Sequence, residues 1–153
     1  MSTPISIRRA IEDDAQAIAS LAIELGYTVD AQVRRSRLRA ILRSAADLLL
    51  VAEDASGSVV GWLQAHAAHV VESGFRVEIT GLIVSTMFRR RGLGRALVAK
   101  AEEWAREISA DAVVVRSNVR RVESHSFYPA LGYASTKTQV VYRKLLADGK
   151  LTE

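Results

Sequence analysis

Residues 5–9 alternate between apolar and polar side chains, which predicts a first strand. Ala15, Ile18, Ala22 and Leu25 then recur at spacings of three and four, the apolar stripe of a helix packed on one side. The acidic run Glu12, Asp13 and Asp14 stands where that helix has its positive end, and Gly26 suits its stop. A second helix starts at Asp30, a capping residue. It turns Val33, Leu38, Ile41 and Leu42 inward, with Arg34, Arg35, Arg39 and Arg43 mostly outward. Residues 48–53 read as a buried strand. Asp54-Ala55-Ser56-Gly57 carries turn chemistry, so a hairpin into residues 59–71 is expected. A turn near Ser73 and Gly74 leads to a strand over residues 75–84. Strands joined this closely run antiparallel.

The period then changes. Leu93, Leu97, Ala101, Trp104 and Ile108 step by three and four and mark a strong helix face. Ala112, Val113, Val114 and Val115 form a wholly apolar run, the pattern of a strand buried on both faces. A strand, a helix of this length and a second strand imply a parallel crossover. Another helix spans residues 120–131, and residues 134–145 read as one or two closing strands. The sum is an α/β fold in the order β-α-α-β-β-β-α-β-α-β. It has one mixed sheet with helices on both faces and forms a single domain over residues 1–153.

Composition narrows the class. The chain has 153 residues, of which 49% are hydrophobic and 25% charged, as expected of one globular core. Cysteine is absent, which excludes disulfides, thiolate metal sites and a cysteine nucleophile. The N-terminus lacks the apolar run of a signal peptide, and no apolar run approaches a membrane span. A cytoplasmic protein is expected. The net charge of +4 favours anionic partners only weakly. Arginine greatly outnumbers lysine, however, and arginine is the better phosphate fork.

One arginine group surrounds a loop. Arg89, Arg90, Arg91, Gly92, Leu93, Gly94 and Arg95 lie between a predicted strand and a predicted helix. Glycines let the backbone come close to a ligand. The first amides of the following helix have no internal partner, so the loop is suited to phosphate. Neither a Walker loop nor a dinucleotide fingerprint fits: the Gly-Lys-Ser/Thr ending is missing, and Leu97 stands where the fingerprint needs a small residue.

What does fit is Arg89-x-x-Gly92-x-Gly94, which resembles the acetyl-CoA signature of the GCN5-related N-acetyltransferase (GNAT) superfamily. Asn118 follows the apolar strand, and residues 124–133, Ser-His-Ser-Phe-Tyr-Pro-Ala-Leu-Gly-Tyr, resemble the family's second conserved segment. The element order is also the family's across nearly the whole chain. The resemblance implies acetyl transfer from acetyl-CoA to an amine, with no metal. It implies that backbone groups of Leu82, Ile83 and Val84 meet the pantetheine arm. Residues 89–94 would hold the pyrophosphate, and Asn118 and the Tyr128 helix would line the other side. Arg90, Arg91 and Arg95 add positive charge there.

The chemistry needs a neutral amine, yet a lysine-like amine has a pKa of about 10.4 and is mostly protonated at pH 7. A base or a water path must take that proton. The leaving thiolate gains from a proton donor, and the resemblance implies that Tyr128 is that acid. Glu78, fourteen residues before Gly92 on the preceding strand, is the best candidate base, although alternation alone allows it to face solvent. His66 and His69 differ by an odd number on one strand, face opposite ways and cannot chelate one metal together. Either could border the acceptor, and His125 suits helix packing or a hydrogen bond.

A CoA-binding module without chemistry would need neither Tyr128 nor Glu78. Nucleic-acid binding would rest on Arg34, Arg35, Arg37, Arg39 and Arg43, but no stacking aromatics accompany them. The acceptor is a small-molecule or peptide amine. The arginine-rich helix suits an acidic one, whereas the wording of the second segment is similar to small-molecule and antibiotic-modifying acetyltransferases. A homodimer through the edge of residues 137–142 is expected.

Overall fold

The computed structural model describes residues 4–24, 26 and 31–147. Its elements are β1 (Ser6–Arg9), α1 (Ala15–Glu24), α2 (Ala31–Arg43), β2 (Asp47–Glu53), β3 (Val59–Val70), β4 (Gly74–Val84), α3 (Leu93–Glu107), β5 (Ala112–Val115) and α4 (Val122–Ala130). The chain forms two compact units, Met1–Arg116 and Ser117–Glu153.

The first unit holds a five-stranded sheet in the order β1-β2-β3-β4-β5. Every pairing is antiparallel except β4 with β5, which is parallel across the α3 crossover. Adjacent residues of β3 show how the layers divide. Trp62 packs with Leu49, Val51, Ile18, Leu38 and Ile41, so α1 and α2 cover one face. A side chain at Gly61 would instead meet Leu93 and Leu97 of α3, which cover the other. Leu63, Leu97, Val51, Val77 and Val98 are fully buried between these layers.

The alternation of β4 does not run unbroken. Gln64 of β3 pairs with Gly81, but its neighbour Ala65 pairs with Ile79, so Thr80 is an inserted residue. A bulge of one residue reverses the facing of everything beyond it. Val77 and Ile79 therefore turn to the α3 side and are buried, while Glu78 turns to the side of α1 and α2. Close packing marks the same place: a side chain on Gly81 would come within 2.7 Å of the Trp62 ring.

Several sequence expectations need correction. Ala15 is buried as expected, but Ala19 and Leu21 are the other buried residues of α1, with Ile18 and Ala22 only half-buried, and Leu42 of α2 is exposed. Leu25 and the Asp30 cap lie outside the described residues, as do the side chains of Val33 and Arg34. β5 is not buried on both faces. Among the described residues it is an edge strand, and its Ala112 is exposed and its three valines half-buried. β3 ends at Val70, leaving Val71 exposed. The closing strands expected over residues 134–145 do not form, and Val140, Val141 and Tyr142 are exposed. β-favouring residues alone cannot make a strand, because the backbone needs a neighbour to bond.

The acidic residues before α1 do more than meet its dipole. They make a 3-10 turn, Glu12–Asp14, in which Asp14 is buried. Its carboxylate accepts from the Ile11 amide at 2.8 Å and from both terminal nitrogens of Arg8, at 2.8 and 3.0 Å. Arg8 also reaches Glu53 at 3.3 Å, which ties β1 to β2. The Arg8 bonds hold the Asp14 carboxyl below its usual range, burial opposes them and the Ile11 bond adds to them. A lowered folded pKa stabilises the fold above the unfolded value of about 3.9, and that gain is lost as pH falls through the folded value. Asp14→Ala leaves a donor pair and a buried amide unmet and is expected to cost about 2 kcal/mol at pH 7. Urea unfolding at pH 7 and at pH 3 checks this, with a smaller difference expected at the lower pH.

Candidate active site

The glycine loop follows β4 and a 3-10 turn, Thr86–Phe88. Two consecutive turns of backbone use the left-handed region: Arg90 at φ 62° and Gly92 at φ 78°. Gly92 caps α3, and a side chain placed on it would meet nothing within 4 Å, so the loop there is open. The first intrahelical bond runs from Ala96 N to Gly92 O at 3.0 Å. The amides of Leu93, Gly94 and Arg95 therefore precede any helical acceptor. No acidic residue occupies the first turn of α3, and Arg89, Arg90, Arg91 and Arg95 are exposed around it. The Arg91 guanidinium rests over the Phe88 ring, 5.2 Å from its centre. Free amides, a positive helix end and four cations suit a pyrophosphate.

Beside this loop the sheet opens. β4 pairs with β5 only from Arg76 opposite Ala112 to Ile79 opposite Val115. β4 continues to Val84, still paired with β3 as far as Gly61. Gly81, Leu82, Ile83 and Val84 thus have β3 on one side and, among the described residues, no strand on the other. A row of unmet backbone groups is a template for an amide-bearing ligand.

Glu78 lies one residue before the end of the β4–β5 pairing. Its register partners are His66 on β3 and Val114 on β5, and His66 is itself opposite Asp47 on β2. Asp47, His66 and Glu78 therefore form one polar row across the sheet on the side of α1 and α2. The Glu78 Oε1 atom is buried and 3.2 Å from Arg116 Nε, yet no hydrogen bond is aligned on it. Trp62 Nε1, on the same face, is also buried without a hydrogen bond. His66 Nδ1 lies 3.0 Å from Asp47 Oδ1. His69, on the opposite face, stacks on Phe75 with ring centres 4.3 Å apart. Among the described residues, no group of three or more His, Asp or Glu side chains could hold a metal ion.

The second unit carries Asn118 and Tyr128. Asn118 Oδ1 accepts from the Arg120 amide at 2.9 Å, closing the turn before α4. Tyr128 is half-buried on α4, edge-on to Phe127 at 4.9 Å and to Tyr133 at 5.9 Å. Burial pushes its phenol above the ordinary value, and Arg121 pulls weakly the other way. The phenol is thus a proton donor at neutral pH. Gly132, at φ 93°, ends the segment, with Tyr133 N bonded to Tyr128 O at 3.1 Å. His125 is exposed on the same helix rather than packed.

The structure therefore places Glu78, Leu82, Ile83, Val84 and residues 89–95 together in one unit, with Asn118 and Tyr128 in the other. Sequence reasoning missed Asp47 and Arg116. Counting pairs back from the turn at Asp54 would have set Asp47 opposite Ala65, because a register shift between Ala52 and Glu53 is what brings it to His66, and Arg116 shows no pattern of its own.

Gly92→Val puts a β-branched side chain on a left-handed backbone, at a cost of roughly 1–2 kcal/mol. It is expected to weaken acetyl-CoA binding about tenfold or more while the circular dichroism spectrum stays native. Titration calorimetry with acetyl-CoA checks it, and unchanged affinity would remove Gly92 from the site.

Comparison with known proteins bears on the whole arrangement. The chain is 29% identical over 142 residues to an aminoglycoside N(6')-acetyltransferase type 1 of Stenotrophomonas maltophilia, covering 90% of this chain and 92% of that protein. Its fold matches the aminoglycoside antibiotic 6'-N-acetyltransferase AAC(6')-Ih of Acinetobacter baumannii at a TM-score of 0.82. That match has 21% identity and covers 94% of this chain and all of that one. It also matches AAC(6')-Iy in complex with the bisubstrate analogue CoA-S-monomethyl-acetylneamine. There the TM-score is 0.83 at 21% identity, over 94% and 99% of the two chains. The model of the acetyltransferase (GNAT) family matches residues 13–133. On that match the chain belongs to the acetyltransferase (GNAT) family, as an acyltransferase whose co-substrate is acetyl-CoA.

Proposed function

We propose that this protein moves the acetyl group of acetyl-CoA to a primary amine of a small, polyamino acceptor of the aminoglycoside kind. The amine attacks the bound thioester directly. The observation that carries this reading is the unpaired edge of Leu82, Ile83 and Val84 running into the glycine loop. An extended, amide-bearing arm ending in a pyrophosphate is what such an edge and loop would take together. The names of the relatives support a small amine as acceptor. The polar row supports a cationic one, because Asp47 and Glu78 put two carboxylates on the face beside the parting. The exposed arginines of α2 point away from this choice only if they border the acceptor, and Arg39 is engaged with Glu12 at 2.6 Å.

In this reading Glu78, directly or through water, takes the proton of the acceptor ammonium, and Tyr128 gives its proton to the departing thiolate. A half-buried phenol with a raised pKa supports the second role. The family match over residues 13–133 supports one N-acetyltransferase domain spanning both units. The exposed Val140, Val141 and Tyr142 support a homodimer edge. A cytoplasmic setting belongs to the same reading. No described helix is long and apolar enough to cross a membrane.

Thiol release from acetyl-CoA, measured with aminoglycosides, polyamines, amino acids and peptide N-termini, tests the assignment. Turnover is expected with aminoglycosides such as neamine. Tyr128→Phe is expected to lower kcat by about 10²-fold with acetyl-CoA affinity kept. Wild-type kcat in that variant would take Tyr128 out of the mechanism, and turnover confined to peptides would overturn the acceptor class.

A further inference from the structure

We propose that His66, held by Asp47, is a positioning and proton-relay residue behind Glu78. The inference rests on the reading of Glu78 as base. It stands on the register Asp47–His66–Glu78, which the bulge at Thr80 creates by turning Glu78 to the histidine's side of the sheet. Directly opposed residues on neighbouring strands have their Cβ atoms about 5 Å apart, within reach of side-chain contact or of one bridging water.

The three groups differ in exposure in the order a relay needs. The side chain of Asp47 is 15% exposed, that of Glu78 21% and that of His66 45%. With Nδ1 3.0 Å from the Asp47 carboxylate, the neutral imidazole carries its proton on Nδ1. Nε2 is then the basic nitrogen. The base on its own has a difficulty: a proton delivered to a largely buried carboxylate must leave before the next turnover. The steps balance as follows. An N–H bond of the acceptor ammonium breaks and an O–H bond forms on Glu78. That O–H bond breaks as Nε2–H forms on His66, directly or through one water. The imidazolium then loses the proton to solvent through its exposed edge.

The charges around His66 are few. Asp47 comes from β2, Arg76 and Glu78 from β4, and Arg116 from the end of β5. α1, which packs on β3 and β4, carries only Glu24 as a charged residue. α2 packs on β2, and its Arg35, Arg37, Arg39 and Arg43 are all exposed. Arg116 Nε lies 3.2 Å from Glu78, and the relay returns the glutamate to the carboxylate that accepts the next proton.

The test measures kcat against pH with acetyl-CoA and neamine for the wild type, His66→Gln, Asp47→Asn and Glu78→Gln. His66 is also titrated by nitrogen-detected NMR in the protein alone. The expected wild-type profile falls on the acid side as the imidazole is protonated. His66→Gln is expected to lose that limb and to lower kcat about tenfold, with KM for both substrates kept. Asp47→Asn, which removes the carboxylate that accepts from Nδ1, is expected to lower kcat with KM for both substrates kept. Glu78→Gln should also shift the NMR titration of His66. A His66→Gln enzyme with wild-type kcat and pH profile, beside an impaired Glu78→Gln, would overturn the relay and leave the base standing. A fully active Glu78→Gln would overturn the base reading itself. A His66 titration indifferent to Glu78→Gln overturns the relay even where neamine is not turned over.

Discussion

One inserted residue in β4 governs much of what this protein can do. Thr80 has no register partner, and the two sides of the strand exchange roles across it. Before the insertion, the apolar Val77 and Ile79 bury against α3 and Glu78 is brought to the opposite face. After it, Gly81 lies under the Trp62 ring and the strand runs on towards the glycine loop without β5 beside it. Without the bulge, strict alternation would set Val77 and Ile79 on the side of Gly81 and Ile83, and Glu78 would be lost among the packing of α3. A bulge both re-aims a side chain and ends a pairing, and β4 shows the two effects within a few residues of each other.

Charge follows the same division. The arginines that matter most for the fold and for the loop are not the ones that dominate the count. Arg8 binds Asp14 and Glu53 and joins β1 to the start of α1. The loop arginines surround free amides at a helix end, where both the dipole and the side chains favour an anion. Arg35, Arg37, Arg39 and Arg43 of α2 are exposed, and Arg39 is paired with Glu12. Exposed pairs of that kind contribute little to stability. The net charge of +4 sums these unlike groups and predicts none of them.

Much of the fold was legible because its signals are local. The stepping of Leu93, Leu97, Ala101 and Trp104 depends on helical geometry alone, and all four are buried on α3. The Asp54–Gly57 turn is made by an Asp54 side chain that bonds the amides of Ser56 and Ser58. The errors have a common source. Ala112 to Val115 are wholly apolar, but burial of a strand depends on what packs on its two faces, and here Ala112 is exposed and the valines half-buried. Residues 134–145 carry the β-favouring Thr136, Thr138, Val140, Val141 and Tyr142, yet composition supplies no partner strand. Leu42 is apolar on a helix whose inward arc is narrow, centred on Leu38.

The sequence by itself determined the family, the glycine loop, the candidate acid Tyr128 and the absence of any cysteine chemistry. Each of these is a short run of residues whose spacing is its own evidence. The tertiary structure decided which way Glu78 points, that Asp47 and His66 stand in its row, that Arg116 reaches it and that Tyr128 is half-buried. These depend on register between strands far apart in the chain. A single unpaired residue reverses that register, and no local pattern records it.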